Sequence, residues 1–435
     1  MINSMFKKGL VLGIIVLFIG AGVIPSTVGI KKKKTTYQPI RSGGYIQDLI
    51  DNASDGDTIY IPNGIYYENI VINKSISLVG EDKNTTIIDG SNIGDVICIE
   101  AEWVNISGFT IQESGDANYD EGVDISFSHN TILGNIISFN NYGIRIDNNT
   151  IYNNIQDNTF SHNQNGIYFY HSSYNNITGN TITYNSGNGI DIQYSCDNNF
   201  ISNNTILFNG RNGIFILYSG NNNVTSNNVC FNIYKGISVF DSNLNIISKN
   251  NVSSNRNEGT GYCKAGIVLF DSNLNIVTRN TISSNNHSGI RLGSDFGCSR
   301  NTITDNYIIN NYYGIYIDYF AEMNPVYHNN FINNTINAHG ENHQNIWYNA
   351  KLQEGNYWSD YKEKYPDAKK KIFKGIWDIP YEIEGGDNQD NYPLIKQWSN
   401  TRTRTIPRNK AFLTTIPIFQ WLLQRFPILK NLIDY

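Results

Sequence analysis

The chain has 435 residues, of which 40% are hydrophobic and 16% are charged, and its formal net charge is −6 at pH 7. This mildly acidic balance argues against a nucleic-acid partner, because such partners are bound by basic surfaces. The odd number of cysteines, five, predicts buried thiols rather than a disulfide framework.

Residues 1–29 predict an export signal. Lys7 and Lys8 precede an apolar run over residues 9–24, which is shorter than an ordinary transmembrane helix. The alternative is an uncleaved anchor, and the lysines at 31–34 are unusual directly after a translocated segment. We therefore expect an extracellular or cell-surface protein with a linker over residues 30–43.

Residues 45–53 predict a short amphipathic helix, because Ile46, Leu49, Ile50 and Ala53 fall on one helical face. Residues 56–90 follow as several short strands separated by Gly and Asn-Lys turns.

The centre of the chain is a repeat. Glycines followed by Ile or Val recur every 21 to 25 residues, with one longer step of 30, at Gly122, Gly143, Gly166, Gly189, Gly213, Gly236, Gly266, Gly289 and Gly314. A fixed period in this range predicts an array of stacked units. The long step predicts an excursion over residues 257–263 that leaves the stack as a loop.

Each repeat predicts short strands. The first and third residues after the glycine are apolar, as in Ile190 and Ile192 or Ile214 and Ile216, and the second and fourth vary. This alternation is typical of a strand with one buried face. Two further apolar pieces per repeat predict three strands, which close one coil of a parallel β-helix. A leucine-rich-repeat horseshoe has a similar period but needs Leu-based units and helix formers, which these repeats lack.

Asparagines recur at fixed places in the turns. One series follows the glycine by nine residues and comprises Asn175, Asn198, Asn222, Asn245 and Asn275. The other series precedes the glycine and comprises Asn140, Asn163, Asn185, Asn209, Asn232, Asn255 and Asn285. Asn tolerates the left-handed conformation and bonds nearby backbone, so we expect ladders of side-chain amides.

Several motifs resemble NosD-like right-handed parallel β-helix proteins of pectin-lyase-like architecture, which are common on archaeal and bacterial surfaces. The motifs are IQDLIDNASDGDTIYIPNGIYYENIVINKSISLVGE with ISGFTIQESG, the GI-x-I-x-x-S and N-N-I-x-x-N-x-I repeats, and NYWSDY with IPYEIEGGDNQDNYPL. The resemblance covers about residues 45–395. It implies an all-β, right-handed, single-stranded parallel β-helix of about 12 coils over residues 44–350, with an N-terminal capping helix and a C-terminal cap at 351–399.

One stretch departs from that family. Between WSDY and PY, relatives often carry an Asp/Gly-rich run that resembles a calcium loop, whereas residues 362–378 read KEKYPDAKKKIFKGIWD. Lysines stand where carboxylate ligands would be needed, so we expect no hard-cation site there.

Residues 400–435 form a basic linker and an apolar tail. Phe419, Leu422, Leu423, Phe426 and Leu429 have helix-like spacing, but prolines and charges argue against a spanning helix. The alternatives are docking on the solenoid end, dimerisation, and contact with a membrane surface.

Outward positions of the repeats give the candidate site. Two positions after each glycine stand Asp124, Arg145, Tyr168, Asp191, Phe215, Ser238, Val268, Arg291 and Tyr316, and four positions after it stand Ser126, Asp147, Tyr170, Gln193, Leu217, Phe240 and Phe270. Carboxylates beside aromatic rings suit a sugar site. The carbohydrate-binding candidates are Tyr168, Tyr170, Gln193, Phe215 and Phe240, and the weaker catalytic candidates are Asp124, Arg145, Asp147 and Asp191.

No cofactor is expected. NosD-like proteins are linked by name to copper delivery, yet Met323 is the one methionine beyond the signal, and His339 and His343 lack the HExxH spacing. We therefore expect an exported carbohydrate-interacting or structural protein whose partner is a polysaccharide or cell-surface glycan. The alternatives are a polysaccharide lyase or glycoside hydrolase, and a copper-associated maturation protein.

Overall fold

The structure is a computed structural model, and it describes residues 44–116, 120–256, 258, 264–341 and 344–399. These residues form a right-handed parallel β-helix, in which each coil contributes one strand to each of three parallel sheets. The predicted all-β solenoid is confirmed.

Within the described residues the first sheet has 12 strands: Thr58–Ile61, Ser77–Gly80, Asn105–Ser107, Thr131–Leu133, Asn154–Gln156, Asn176–Thr178, Phe200–Ser202, Asn223–Thr225, Ile246–Ser248, Ile276–Thr278, Thr302–Thr304 and Val326–Tyr327. The second has 13: Gly64–Tyr67, Thr86–Asp89, Thr110–Gln112, Ile136–Ser138, Thr159–Ser161, Thr181–Thr183, Thr205–Leu207, Asn228–Cys230, Asn251–Ser253, Thr281–Ser283, Tyr307–Ile309, Asn330–Ile332 and Tyr357–Trp358. The third has 12: Ile70–Ile72, Ile97–Ile99, Glu121–Ile125, Tyr142–Ile146, Asn165–Tyr170, Ile190–Gln193, Ile214–Leu217, Ile237–Phe240, Ala265–Phe270, Ser288–Gly293, Tyr313–Ile317 and Ile336–Gly340.

The apolar positions of the repeats fill the interior. Ile190, Ile192, Ile214 and Ile216 are all 0% exposed, and each pairs with its equivalent in the next coil. Because strand side chains alternate between faces, this register places the intervening residues on the outside of the third sheet.

Buried asparagines form three ladders along the turns. In each, the side-chain Oδ1 accepts the backbone N–H of the equivalent asparagine one coil earlier, as Asn222 accepts from Asn199 at 2.9 Å. Both predicted series are present, with one correction. Asn199, not Asn198, belongs to the ladder in its coil, because Asn198 adopts a positive φ of 58° and lies outside the ladder. The third ladder was not predicted and contains Asn135, Asn158, Asn180, Asn204, Asn227, Asn250, Asn280, Asn306, Asn329 and Asn356.

A helix over Tyr45–Asn52 covers the first coil, as predicted. Ile46 and Ile50 are fully buried against the core. The Glu68 carboxylate accepts the backbone N–H groups of Ile46 and Gln47 at the start of the helix, and the Lys74 ammonium donates to carbonyls at its end. These charges complement the helix dipole and satisfy groups that a helix end leaves unpaired.

The other end of the solenoid is closed by aromatic rings. Trp358 stacks on Phe331 at 4.5 Å and on Tyr381 at 4.1 Å, and its indole N–H donates to the buried Asp390 carboxylate. Asp390 also accepts the backbone N–H of Asn356, the last asparagine of the third ladder. A second short helix, Tyr361–Lys364, and two antiparallel pairs, Lys370–Lys371 with Ile376–Trp377 and Tyr381–Glu382 with Gln389–Asp390, complete this cap.

Several predicted segments lie outside the described residues. These are residues 1–43, most of the excursion at 257–263, His343 and the tail from residue 400. The strands that flank the excursion keep their register with the neighbouring coils. In the described part of the chain, Cys196, Cys230 and Cys298 are buried free thiols and Cys98 is a half-buried one. Helices of the described residues are too short and polar to cross a bilayer.

Candidate functional site

The outer face of the third sheet brings the predicted site residues into one continuous row. Asp124 pairs with Arg145, Arg145 with Tyr168, Tyr168 with Asp191 and Asp191 with Phe215 in successive coils. Tyr170 pairs with Gln193 in the same way. The register read from the sequence therefore places these residues as neighbours along the solenoid axis.

Two carboxylates on this face are far less exposed than an outward position implies. Asp147 is 8% exposed and Asp191 is 3% exposed. Side chains from the adjoining turns cover Asp191, since it accepts hydrogen bonds from Asn165 and Asn188 as well as from Gln193 on its own strand. The face is therefore a set of recesses rather than an open solvated strip.

An ion-paired cluster occupies the amino-terminal part of the face. Arg145 contacts Asp147 at 2.7 Å and Glu121 at 3.4 Å. The Ser126 hydroxyl lies 3.0 Å from the Asp124 carboxylate and 3.4 Å from that of Asp147. The serine thus bridges the two aspartates, whereas an inverting glycosidase needs space for a water between its carboxylates.

Burial shifts the protonation of this cluster. It raises the pKa of Glu121 to about 10, helped by the neighbouring Asp95 carboxylate. Burial, then the charge of Asp147, raises the pKa of Asp124 to about 6. Glu121 therefore holds a proton more tightly than an exposed glutamate does, and Asp124 titrates close to neutrality.

A polar cleft, called here the Asp191 cleft, lies beside this cluster. It has a volume of about 430 Å³ and is lined by Tyr142, Gln164, Asn165, Tyr168, Ser186, Gly187, Asp191, Gln193 and Arg211. Asp191 accepts amide N–H groups of Asn188 at 2.8 Å, Gln193 at 2.9 Å and Asn165 at 3.2 Å. Burial is the main reason that the pKa of Asp191 is raised.

Parallel tyrosine rings form one wall of the cleft. Tyr168 stacks on Tyr142 with ring centroids 5.0 Å apart, and on Tyr170 at 6.4 Å. Tyr170 contacts Tyr194 edge to face at 5.5 Å. These contacts fix the ring orientations, so the wall is rigid before any ligand arrives.

The apolar middle of the face is more covered than predicted. Phe215, Phe240 and Phe270 are half-buried and contact one another, with 5.0 Å between the Phe240 and Phe270 rings. Val268 is 0% exposed and packs beside the last two rings. Phe215 and Phe240 lie one and two coils beyond Asp191, and neither lines the cleft.

Sequence reasoning missed the lining residues that come from the turns and from the first positions of the strands, namely Tyr142, Gln164, Asn165, Ser186, Gly187 and Arg211. Turn length changes at this part of the chain, since the glycine follows the ladder asparagine by three residues in Asn163–Gly166 but by four in Asn185–Gly189 and Asn209–Gly213. The four-residue step recurs at Asn232–Gly236, so it does not by itself mark the cleft.

A second aromatic row, also missed, follows the turn after the second sheet. Phe139, His162, Tyr184, Phe208 and Phe231 stack in successive coils, each at positive φ and each directly before a ladder asparagine. The ring faces contact one another. In the described part of the chain, no cluster of acidic or amide side chains lies beside these rings. Sugar recognition needs such hydrogen-bonding groups beside the rings, which favours the Asp191 cleft.

One group among the described residues has the spacing of a metal site. Ligand atoms of Asp95, Cys98 and Asp124 lie within 4.8 Å of one another. In the metal-free protein, burial raises the pKa of the Cys98 thiol to about 12. Copper favours sets of imidazole, thiolate and thioether ligands, and this set offers one thiol, two carboxylates and neither an imidazole nor a thioether. The donor set therefore does not fit copper.

The chain matches the family model "Periplasmic copper-binding protein (NosD)" twice, over residues 50–210 and 205–363. Curated proteins give no match.

Solved structures share the fold. The A-module of Azotobacter vinelandii mannuronan C-5 epimerase AlgE6 aligns with a TM-score of 0.59 at 15% identity, over 69% of this chain and 93% of that one. The AlgE4 A-module of the same organism gives 0.55 at 16% identity, over 68% and 92%. The DFA-IIIase of Arthrobacter chlorophenolicus in complex with DFA-III gives 0.50 at 14% identity, over 62% and 83%. At these identities the likeness concerns the fold.

Proposed function

We propose, from the premise that this chain belongs to the NosD family, that it is an exported β-helix protein that binds a polysaccharide or cell-surface glycan in the Asp191 cleft. The observation that carries the proposal is the nearly buried Asp191 carboxylate, held by three amides at the base of an open polar cleft with a tyrosine wall.

The cleft supplies the groups that sugar recognition requires. Asp191, Gln164 and Gln193 offer acceptors and donors for ring hydroxyls, and the Arg211 guanidinium can bind a carboxylate substituent. Tyr142 and Tyr168 add flat apolar surface beside them. The solved structures of similar fold include enzymes named for mannuronan, which is a further reason to test polysaccharides first.

Export and surface location follow the same proposal. Residues 1–29 have the charge and apolar pattern of a signal, and the family description is that of periplasmic proteins. Copper delivery is not proposed, since the described residues offer no donor set that suits copper.

A polysaccharide lyase or hydrolase is the second candidate, and one observation favours it. Asp124 has a pKa raised to about 6, while its neighbour Asp147 is paired with Arg145. Carboxylates whose environments separate their pKa values are a feature of acid–base catalysis. The bridging Ser126 and the ion pair of Asp147 favour binding over turnover.

A glycan array on the full chain, followed by calorimetry with the best ligand, tests the binding proposal. Tyr168→Ala with Tyr170→Ala should weaken binding at least about tenfold, equivalent to about 1.4 kcal/mol, because it removes the Tyr168 ring that lines the cleft and the Tyr170 ring beside it. Asp191→Asn should weaken it similarly. Tyr152→Ala, at an exposed tyrosine far from the cleft, is the matched control and should leave affinity unchanged. Equal binding by all variants would sink the proposal.

The enzyme alternative has its own readout. Shortening of the polysaccharide by the wild-type chain that disappears in Asp147→Asn would replace the binding proposal with catalysis.

A further inference from the structure

The hairpin between Lys370–Lys371 and Ile376–Trp377 ends in two bare apolar side chains. Ile372 is 75% exposed and the neighbouring Phe373 is fully exposed. Exposed apolar residues are common singly, but an adjacent pair at the end of a projecting hairpin marks a contact surface.

Four lysines surround this apolar tip. Lys369, Lys370, Lys371 and Lys374 are all exposed, and the segment that contains them has no acidic residue. None of the ion pairs found among the described residues includes any of these lysines. Their positive charge is therefore not neutralised by a carboxylate of the described chain, in a protein whose net charge is negative.

The hairpin holds its tip in a fixed position. The Lys371 carbonyl accepts the N–H groups of Lys374 at 2.9 Å and Gly375 at 3.0 Å, and Gly375 has the positive φ of 71° that the turn needs. Trp377 at the base of the hairpin stacks on Tyr361 at 4.9 Å, and Ile395 donates its N–H to the Gly375 carbonyl. A surface that is ordered in advance loses little conformational entropy on binding.

We propose that this hairpin docks on an anionic lipid surface, with Ile372 and Phe373 entering the boundary of the acyl chains and the four lysines binding headgroup phosphates. A polyanionic polysaccharide would use the lysines but leave the apolar pair in water. A lipid surface is the partner that uses both the charge and the apolar tip.

The position of the hairpin supports the same partner. A groove of about 360 Å³ runs beside it, lined by Lys370, Ile372, Leu394, Ile395 and Trp398 and reaching Ser399. The chain continues from Ser399 into the sequence TRTRTIPRNK, which adds four basic residues and no acidic one. The described chain therefore ends at Ser399 beside the hairpin, many coils along the axis from the Asp191 cleft.

Sedimentation of the full chain with vesicles tests the proposal. The vesicles are pure phosphatidylcholine, or phosphatidylcholine with 30% phosphatidylglycerol, at low and at physiological salt. We expect binding to the anionic vesicles, weakened by salt, and little to the neutral ones. Ile372→Ser with Phe373→Ser should lower the partition coefficient at least tenfold, and Lys370→Gln with Lys371→Gln and Lys374→Gln should lower it by a similar factor. Phe296→Ser, at another exposed apolar residue, is the matched control and should bind as the wild type does.

The outcomes distinguish lipid docking by the hairpin from lipid docking by the tail and from binding of a soluble polyanion. Absence of binding by the wild type, or unchanged binding by the Ile372→Ser, Phe373→Ser variant, would overturn the proposal. Unchanged binding by this variant that a soluble anionic polysaccharide does not displace would assign lipid binding to the tail. Unchanged binding that the polysaccharide does displace would make the surface a polyanion site. All of the substituted side chains are exposed, so each variant should keep the thermal midpoint and the glycan affinity of the wild type. Loss of glycan affinity alone would bear on the Asp191 cleft and not on this hairpin.

Discussion

At the scale of single residues, the molecule depends on asparagines that satisfy buried backbone. Asn250 is 1% exposed, and its Oδ1 accepts from both nitrogens of Asn227, while its own Nδ2 donates to the Val224 carbonyl at 2.9 Å. One side chain thus pairs three polar groups of the preceding coil that water does not reach.

The neighbouring residues Asn250 and Asn251 give a matched test of this role. Asn250→Ala should lower the free energy of unfolding by about 2–4 kcal/mol, because it leaves a buried N–H and a buried carbonyl unpaired. Asn251 is exposed and bonds one exposed amide, so Asn251→Ala should cost less than about 1 kcal/mol. Denaturant unfolding measures both, and equal losses would contradict the ladder's role.

Asp390 predicts a pH dependence of stability. Burial raises its pKa to about 7, against about 3.9 in an unfolded chain. A raised pKa means that the folded state binds the proton more tightly, so this stabilisation is complete below about pH 4 and is lost as pH rises through about 7. Between these values the wild-type carboxyl lowers the stability with rising pH, so the change of stability per pH unit should be more positive in Asp390→Asn by up to about 1.4 kcal/mol. Unfolding titrations that give the two proteins the same slope would show that Asp390 is already ionised in this range.

At the scale of elements, a strand is defined by one short alternating run, and the turns between strands tolerate variation. Ile214 faces inward at 0% exposure, and Phe215 beside it faces outward and is half-buried. Turn length varies from coil to coil without any change of register in the strands on either side.

The long excursion should be dispensable for the same reason. Deleting residues 258–264 would place the next glycine four positions after Asn255, as Gly236 follows Asn232. The strands on either side already pair in register, so the circular-dichroism strand signal and the thermal midpoint should stay within a few degrees. Collapse of the fold on deletion would show that this segment belongs to the core.

At the scale of the whole molecule, each coil contacts its neighbours alone, and the two end coils need caps. In such an array stability is approximately a sum of coil and interface terms, so damage at one end stays local. The helix Tyr45–Asn52 covers one end and the ring stack around Trp358 covers the other.

Trp358→Ala tests this independence. Removing a 1% exposed indole that packs between two rings should cost about 3–5 kcal/mol. Hydrogen exchange should lose protection in the last strands, Asn330–Ile332 and Ile336–Gly340, and keep it in Asn176–Thr178. Tyr357→Ala, on the outer side of the same strand, should change little. Uniform loss of protection along the chain would show that the solenoid unfolds as one unit.

The sequence by itself determined the period, the inward isoleucines, the capping helix and two of the three asparagine ladders. These features follow from rules that act within one repeat, namely strand alternation, turn chemistry and the need to pair each coil with the next. The third ladder also had a sequence motif, since Asn180 stands in the repeat N-N-I-x-x-N-x-I.

Only the tertiary structure decided the depth of the site and the nature of its surfaces. Asp191 is nearly buried because the amides of Asn165 in the preceding coil and Asn188 in its own coil close over it. Arg211 reaches the same cleft from the next coil. Ile372 and Phe373 are exposed because they lie in the turn between the two strands of their hairpin, although both side chains are apolar. Burial and convergence depend on which residues from distant parts of the chain meet, and a one-residue change in turn length alters that without disturbing the periodic pattern.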